Sequence, residues 1–132
     1  MEPRAISRPL HFVLICPPVG VSTAAVYRKL TPPDRPRPIG EMVEALEAGD
    51  IPALGRGLFN RLQEPAVRLD ARIGEYYKRL VSLAPAGVLM SGSGSSLFAV
   101  CRSPTEQERL TAALRDGAAE DLLRVFAVRG CV

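Results

Sequence analysis

Apolar positions along this chain change their spacing several times, and each change predicts an element. Leu10 to Cys16 is a short apolar run stopped by Pro17-Pro18, the pattern of a mostly buried strand. Val19-Gly20-Val21 reads as a loop, and Ser22 or Thr23 can cap a helix that runs through Leu30 to Pro32-Pro33. Residues 31–38 carry four prolines and predict an extended, solvent-facing connection. A short helix is expected from Glu41 to Ala48, with Met42, Val43 and Leu46 inward and Gly49 as its stop. Ile51-Pro52 opens another, with Leu54, Leu58, Phe59 and Leu62 as its apolar face. From Glu64 to about Ala84, the residues Ala66, Leu69, Ile73, Tyr76, Leu80 and Leu83 recur every three or four positions. That spacing predicts one long helix with a continuous apolar stripe. Two strands follow, around 87–91 and 96–102. Ser103-Pro104-Thr105-Glu106 then has the form of a capping box with proline at the first helical position. This helix turns Leu110, Ala113 and Leu114 inward and ends at Gly117, and Leu122 to Arg129 reads as the last strand.

Without the inserted helices the order is βαββαβ. That is an α+β fold of the ferredoxin-like kind, an antiparallel sheet with helices on one face. Residues 1–9 read as a linker or disordered N-terminus and 10–132 as the domain. Such a fold hosts many functions and decides little about this one.

Composition narrows the field modestly. With 132 residues, 47% of them hydrophobic, the chain is long enough to bury a real core as one domain. Net charge is +3 without any block of like charge, and seven aromatics with no Trp supply a poor platform for single-stranded nucleic acid. No apolar stretch is long enough to cross a membrane. Cys16, Cys101 and Cys131 have no metal-ligand spacing, and two of them sit in apolar runs, which suggests a reducing, cytoplasmic setting.

The most informative stretch is Met90-Ser-Gly-Ser-Gly-Ser-Ser96, where two glycines alternate with hydroxyl residues between two apolar runs. Glycines there can take positive φ and let another backbone come close. Successive exposed N–H groups can also form a concave anion site. A plain β-hairpin turn accounts for the same residues. A P-loop does not, because no Lys follows and no helix opens there.

Two segments taken together resemble a known family. Phe12-Val-Leu-Ile-Cys-Pro-Pro-Val-Gly-Val-Ser-Thr-Ala-Ala-Val-Tyr27 and Met90-Ser-Gly-Ser-Gly-Ser-Ser-Leu-Phe98 are similar to the C-terminal half of 4-diphosphocytidyl-2-C-methyl-D-erythritol kinases, members of the GHMP kinase superfamily in non-mevalonate isoprenoid biosynthesis. Leu58-Phe-Asn-Arg-Leu-Gln-Glu-Pro65 also looks like that family's middle segment, and the likeness runs over roughly residues 9–132. The superfamily's nucleotide lobe carries a Gly-rich loop before a helix whose N-terminus holds phosphates, with an acidic residue and a lysine for phosphoryl transfer. Nothing in residues 1–132 resembles these. The resemblance therefore implies the substrate-side half of a kinase, with no catalytic residue of its own and no turnover alone.

Ser91, Gly92, Ser93, Gly94 and Ser95 match the superfamily motif that packs beside the phosphate loop. Tyr27 matches a position whose aromatic ring can lie against the substrate's cytosine; a tyrosine packed on the sheet is the other reading. Ser22 and Thr23 could touch substrate or cap the helix, and capping is required in either case. ATP and magnesium are implied for the intact enzyme and neither for this chain alone. Implied partners are a separately supplied N-terminal kinase lobe, which would leave an exposed apolar patch here, and a cytidine-containing small molecule. His11 has no acid or Cys at relay or ligand spacing and reads as an ordinary strand residue. Arg68, Arg72, Lys78 and Arg79 read as a solvated helix face, and Asp70 and Glu75 form no acid–base pair. A non-catalytic ferredoxin-like module that binds a partner or small ligand is the competing function, and a gene fragment without function carries the same signature.

Overall fold

Strand β1 (His11–Cys16) lies inside the sheet, with antiparallel neighbours on both sides. The computed structural model describes residues 9–30, 39–116 and 122–130. The expectations for residues 1–8, the proline-rich 31–38, Gly117 and Cys131 lie outside these. After β1 come α1 (Thr23–Lys29), α2 (Gly40–Ala48), α3 (Ile51–Arg56), α4 (Gln63–Leu69) and α5 (Ala71–Ser82). The strands β2 (Gly87–Met90) and β3 (Leu97–Cys101), the helix α6 (Pro104–Arg115) and the strand β4 (Arg124–Arg129) complete the order. The sheet order is β2-β3-β1-β4, with every neighbouring pair antiparallel. This is the ferredoxin-like arrangement that the sequence predicts.

Register assigns the faces. Val13 stands opposite Ala99 and Ala127, and Leu14 opposite Phe98 and Phe126. Because side chains alternate along a strand, the odd-numbered residues of β1 share one face and the even-numbered ones the other. Val13, Ile15, Leu97, Ala99 and Val125 pack with Ile73 and Leu80 of α5 and with Leu110 and Leu114 of α6. On the opposite face, Val100 packs with Ala45, Ile51 and Leu54 from α2 and α3, joined by Phe12 and Phe98. The helices therefore cover both faces, not one. Among the described residues no element beyond α2 and α3 packs on that second face, and Phe126 and Val128 are 43% and 40% exposed there.

The approach of α3 to the sheet is backbone against backbone. A Cβ on Gly55 would lie 1.9 Å from the Ala86 carbonyl oxygen, and one on Gly87 would lie 2.6 Å from the Gly55 Cα. Only glycine fits at that crossing.

Several boundaries differ from the sequence reading. The helix expected from Glu64 to Ala84 is two, broken at Asp70, whose φ of −145° and ψ of 105° are extended. The Asp70 carboxylate accepts the Arg72 N–H at 3.0 Å and caps α5. The apolar stripe survives the break: Ala66, Ile73 and Leu80 are fully buried, and Leu69, Tyr76 and Leu83 pack against them. Helix α3 stops at Arg56, so Phe59 is not on its face and stands 45% exposed. In α2 the buried residue is Ala45, with Met42 and Leu46 beside it and Val43 outside the cluster. In α6 Thr111 is buried in place of the exposed Ala113, and its hydroxyl donates to the Gln107 carbonyl at 2.6 Å. The α6 cap is half the predicted box. Ser103 accepts the Glu106 N–H at 3.1 Å, while the Glu106 carboxylate accepts from Arg102 N–H at 3.2 Å rather than from Ser103.

Candidate functional site

The connection from β1 to α1 and the connection from β2 to β3 meet at one end of the sheet. In the first, Ser22 accepts the Ala25 N–H at 3.3 Å and caps α1. In the second, the Ser91 N–H donates to Ser96 O at 2.8 Å and the Gly94 N–H to Ser91 O at 3.2 Å. Both glycines take positive φ, +58° at Gly92 and +101° at Gly94. Gly94 is doubly required, since a Cβ there would lie 3.1 Å from Met90 Sδ and 3.3 Å from Val21 Cγ2. Gly92 faces open space, so its conformation alone selects glycine.

Three hydrogen bonds stitch the two segments together. Thr23 Oγ1 and Ser93 Oγ share a hydrogen bond of 3.1 Å. Ser95 Oγ donates to the Val19 carbonyl, and Ser96 Oγ donates to Cys16 Sγ at 3.5 Å. The run is thus more than a hairpin turn, because its side chains hold a separate segment.

Tyr27 lies one helical turn beyond Thr23, on the same side of α1. It is 56% exposed while its neighbour Val26 is fully buried. The ring is therefore a surface feature and not part of the core. Thr23 thus meets Ser93 of the glycine loop, and the exposed Tyr27 follows one turn further along the same helix.

Asn60 was not visible as a site residue from the sequence. Its Nδ2 donates to Met90 O at 2.8 Å and to Gly92 O at 2.6 Å, and its Oδ1 accepts the Leu62 N–H at 3.0 Å. Gln63 Oε1 accepts the Met90 N–H at 3.0 Å. The only advance signal was their place in the Leu58–Pro65 segment, which by itself assigns no role.

Asn60 also lines a groove of about 290 Å³, together with Leu30, Phe59, Arg61 and Arg68 among others. The Arg61 guanidinium stands 5.2 Å from the Phe59 ring centroid, and Arg68 donates to the Lys29 carbonyl at 3.3 Å. Arg72 holds Asp70 through bonds of 2.7 and 3.0 Å, and this hydrogen bonding keeps the Asp70 carboxyl below its usual range. Arg79 lies 5.0 Å from the Tyr76 ring. These cations are engaged locally and converge on no single point. His11 sits on β1 with its Nδ1 buried and unpartnered. Among the described residues no three His, Cys, Asp or Glu side chains cluster as metal ligands, and no helix is long and apolar enough to cross a membrane.

Comparison with known proteins gives a consistent picture. The family model described as GHMP kinases C terminal matches residues 42–120. A 4-diphosphocytidyl-2-C-methyl-D-erythritol kinase of Shouchella clausii is 33% identical over 98% of this chain and 42% of its own length. One of Thermus thermophilus is 36% identical over 87% of this chain and 41% of its own length. This chain spans less than half the length of these curated relatives. A crystal structure of a 4-(cytidine 5'-diphospho)-2C-methyl-D-erythritol kinase superposes with a TM-score of 0.76 at 34% identity, covering 99% of this chain and 46% of that one. A homoserine kinase of Cytophaga hutchinsonii shares the fold, with a TM-score of 0.70 at 21% identity over 93% of this chain and 42% of that one. The chain belongs to the GHMP kinase C-terminal domain family, and it matches the C-terminal part of 4-diphosphocytidyl-2-C-methyl-D-erythritol kinases.

Proposed function

We propose that this chain is the substrate-side domain of an ATP-dependent kinase that phosphorylates a diphosphocytidyl methylerythritol in non-mevalonate isoprenoid biosynthesis. The observation that carries the proposal is the Thr23–Ser93 hydrogen bond. It joins the helix bearing the exposed Tyr27 to the glycine loop, the two segments that resemble the kinase family. In this reading the Tyr27 ring stacks on the cytosine. Thr23 orients the substrate beside the loop, and Ser91 to Ser95 form one wall of the phosphate pocket, where glycines allow a second backbone to come close.

The residues of this chain do not fit ATP and magnesium by themselves. Among the described residues no glycine-rich loop opens a helix, and no three His, Cys, Asp or Glu side chains cluster as metal ligands. No step through the nucleotide or metal is therefore assigned to this chain, whose share is binding and orientation. A nucleotide-binding lobe is the partner this reading requires.

The test is a chimera in which this chain replaces the matching C-terminal part of the Shouchella clausii kinase. The chimera is expected to phosphorylate the diphosphocytidyl substrate, and the 132-residue chain alone is expected not to. A folded chimera without turnover contradicts the proposal.

A further inference from the structure

Met90 lies on β2, an edge strand of the sheet, and the glycine loop leaves directly from it. Edge strands leave backbone groups without a strand partner. Here both backbone polar groups of Met90 are taken by side chains at the start of α4: its C=O by Nδ2 of Asn60, in the connection into the helix, and its N–H by Oε1 of Gln63, the first helical residue. The second Nδ2 hydrogen goes to Gly92 O, inside the loop. A primary amide has two N–H donors, so both are spent on the loop and its root. The Oδ1 accepts the Leu62 N–H, which fixes the orientation of the amide. A flipped amide would set its oxygen against two carbonyls.

Gly92 makes this bond consequential. Gly92 is exposed, and nothing lies within 4 Å of where its Cβ would be. Its carbonyl is tied at 2.6 Å to a residue more than thirty positions away in sequence. The neighbouring residue Ser93 is the one that reaches Thr23.

We propose that Asn60 and Gln63 are positioning residues that aim the glycine loop at helix α1. They contact no reacting group and act through Met90 and Gly92. The inference rests on the reading of the loop as part of a kinase active centre, and its test separates the two claims.

Asn60→Asp is nearly isosteric and keeps the acceptor for the Leu62 N–H, but it has no N–H to donate and opposes two carbonyl oxygens. If Asn60 only closed its own turn, this variant would behave as wild type. In the 132-residue chain, Asn60→Asp is expected to speed amide exchange at the bonded loop amides of Ser91 and Gly94 by at least about tenfold, the scale of one lost hydrogen bond. Core amides such as those of Val13 and Leu110 keep their protection. In the chimera, the same change is expected to lower kcat by about 10- to 100-fold, the scale for a small misplacement of a positioned group, with substrate KM within a few-fold. Gln63→Glu, which still accepts from Met90, is expected to match wild type, and Gln63→Met to resemble Asn60→Asp. Unchanged loop exchange in Asn60→Asp and Gln63→Met overturns the clamp. Faster exchange with kcat at the wild-type value overturns the loop's role in catalysis. A wild-type chimera without turnover overturns the kinase reading, while the exchange measurement still decides the clamp.

Discussion

Thr23 and Ser93 lie seventy residues apart in sequence and 3.1 Å apart at their hydroxyls. The pair is exposed, so it contributes little to stability and its value lies in alignment. Thr23→Val is expected to leave unfolding free energy within about 0.5 kcal/mol of wild type, as for an ordinary surface change. In the chimera it is expected to raise KM for the diphosphocytidyl substrate several-fold and leave KM for ATP unchanged. Thr23→Ser keeps the hydroxyl and is expected to behave as wild type in steady-state kinetics.

Gly55 tests the packing of α3 on the sheet. A methyl group there meets the Ala86 carbonyl at 1.9 Å, and backbone cannot yield as a flexible side chain does. Gly55→Ala is expected to cost about 2 kcal/mol or more by overpacking. Gly20→Ala, with nothing within 4 Å, is expected to stay within about 0.5 kcal/mol. Urea midpoints measured on the two variants decide the matter.

Cys101 is 1% exposed, and burial pushes its thiol up to about 11 from an ordinary 9.0. The folded state thus keeps this proton to higher pH than the unfolded chain. Its contribution to stability is intact below pH 9.0 and is lost as pH rises through about 11. Replacing Cys101 by Ala is expected to flatten that part of the alkaline decline, measured as unfolding free energy against pH. At neutral pH the partly exposed Cys16 is expected to react with thiol reagents well before Cys101.

Phe126 and Val128 stand in register with Leu14 and Phe12 on the open part of the sheet. An uncovered apolar face favours association. The isolated chain is expected to self-associate, and Phe126→Ser with Val128→Thr to weaken that association in sedimentation equilibrium. A wild-type chain that stays monomeric at high concentration contradicts this.

Much of the scaffold was legible because single residues carried the signal. The apolar run to Cys16, the glycines between two short strands and the Ser103 cap each mark an element locally. The break at Asp70 was not read, because the apolar stripe keeps its phase across it and masks the cap. Its signal was present all the same, since Asp70 before a helical run is an N-cap residue type. Placement of α2 and α3 on the second face was missed for a similar reason. A strand such as Leu10 to Cys16, apolar at both odd and even positions, is the mark of burial on both faces. The clamp by Asn60 was out of reach, since its partners lie about thirty residues away and no local pattern links them.

Substrate affinity in the chimera carrying Tyr27→Ala tests the central claim most directly. Tyr27 is exposed on α1 beside Thr23, and aromatic stacking contributes about 1 kcal/mol beyond area burial, which sets several-fold as the smallest effect. Tyr27→Ala is predicted to weaken binding of the diphosphocytidyl substrate by at least that much while ATP binding is unchanged. Tyr27→Phe is predicted to be nearly silent, because the ring and not the hydroxyl makes the contact. Unchanged substrate affinity in Tyr27→Ala, with a lowered melting temperature, would instead make Tyr27 a structural residue and contradict the assignment of this domain to the substrate side.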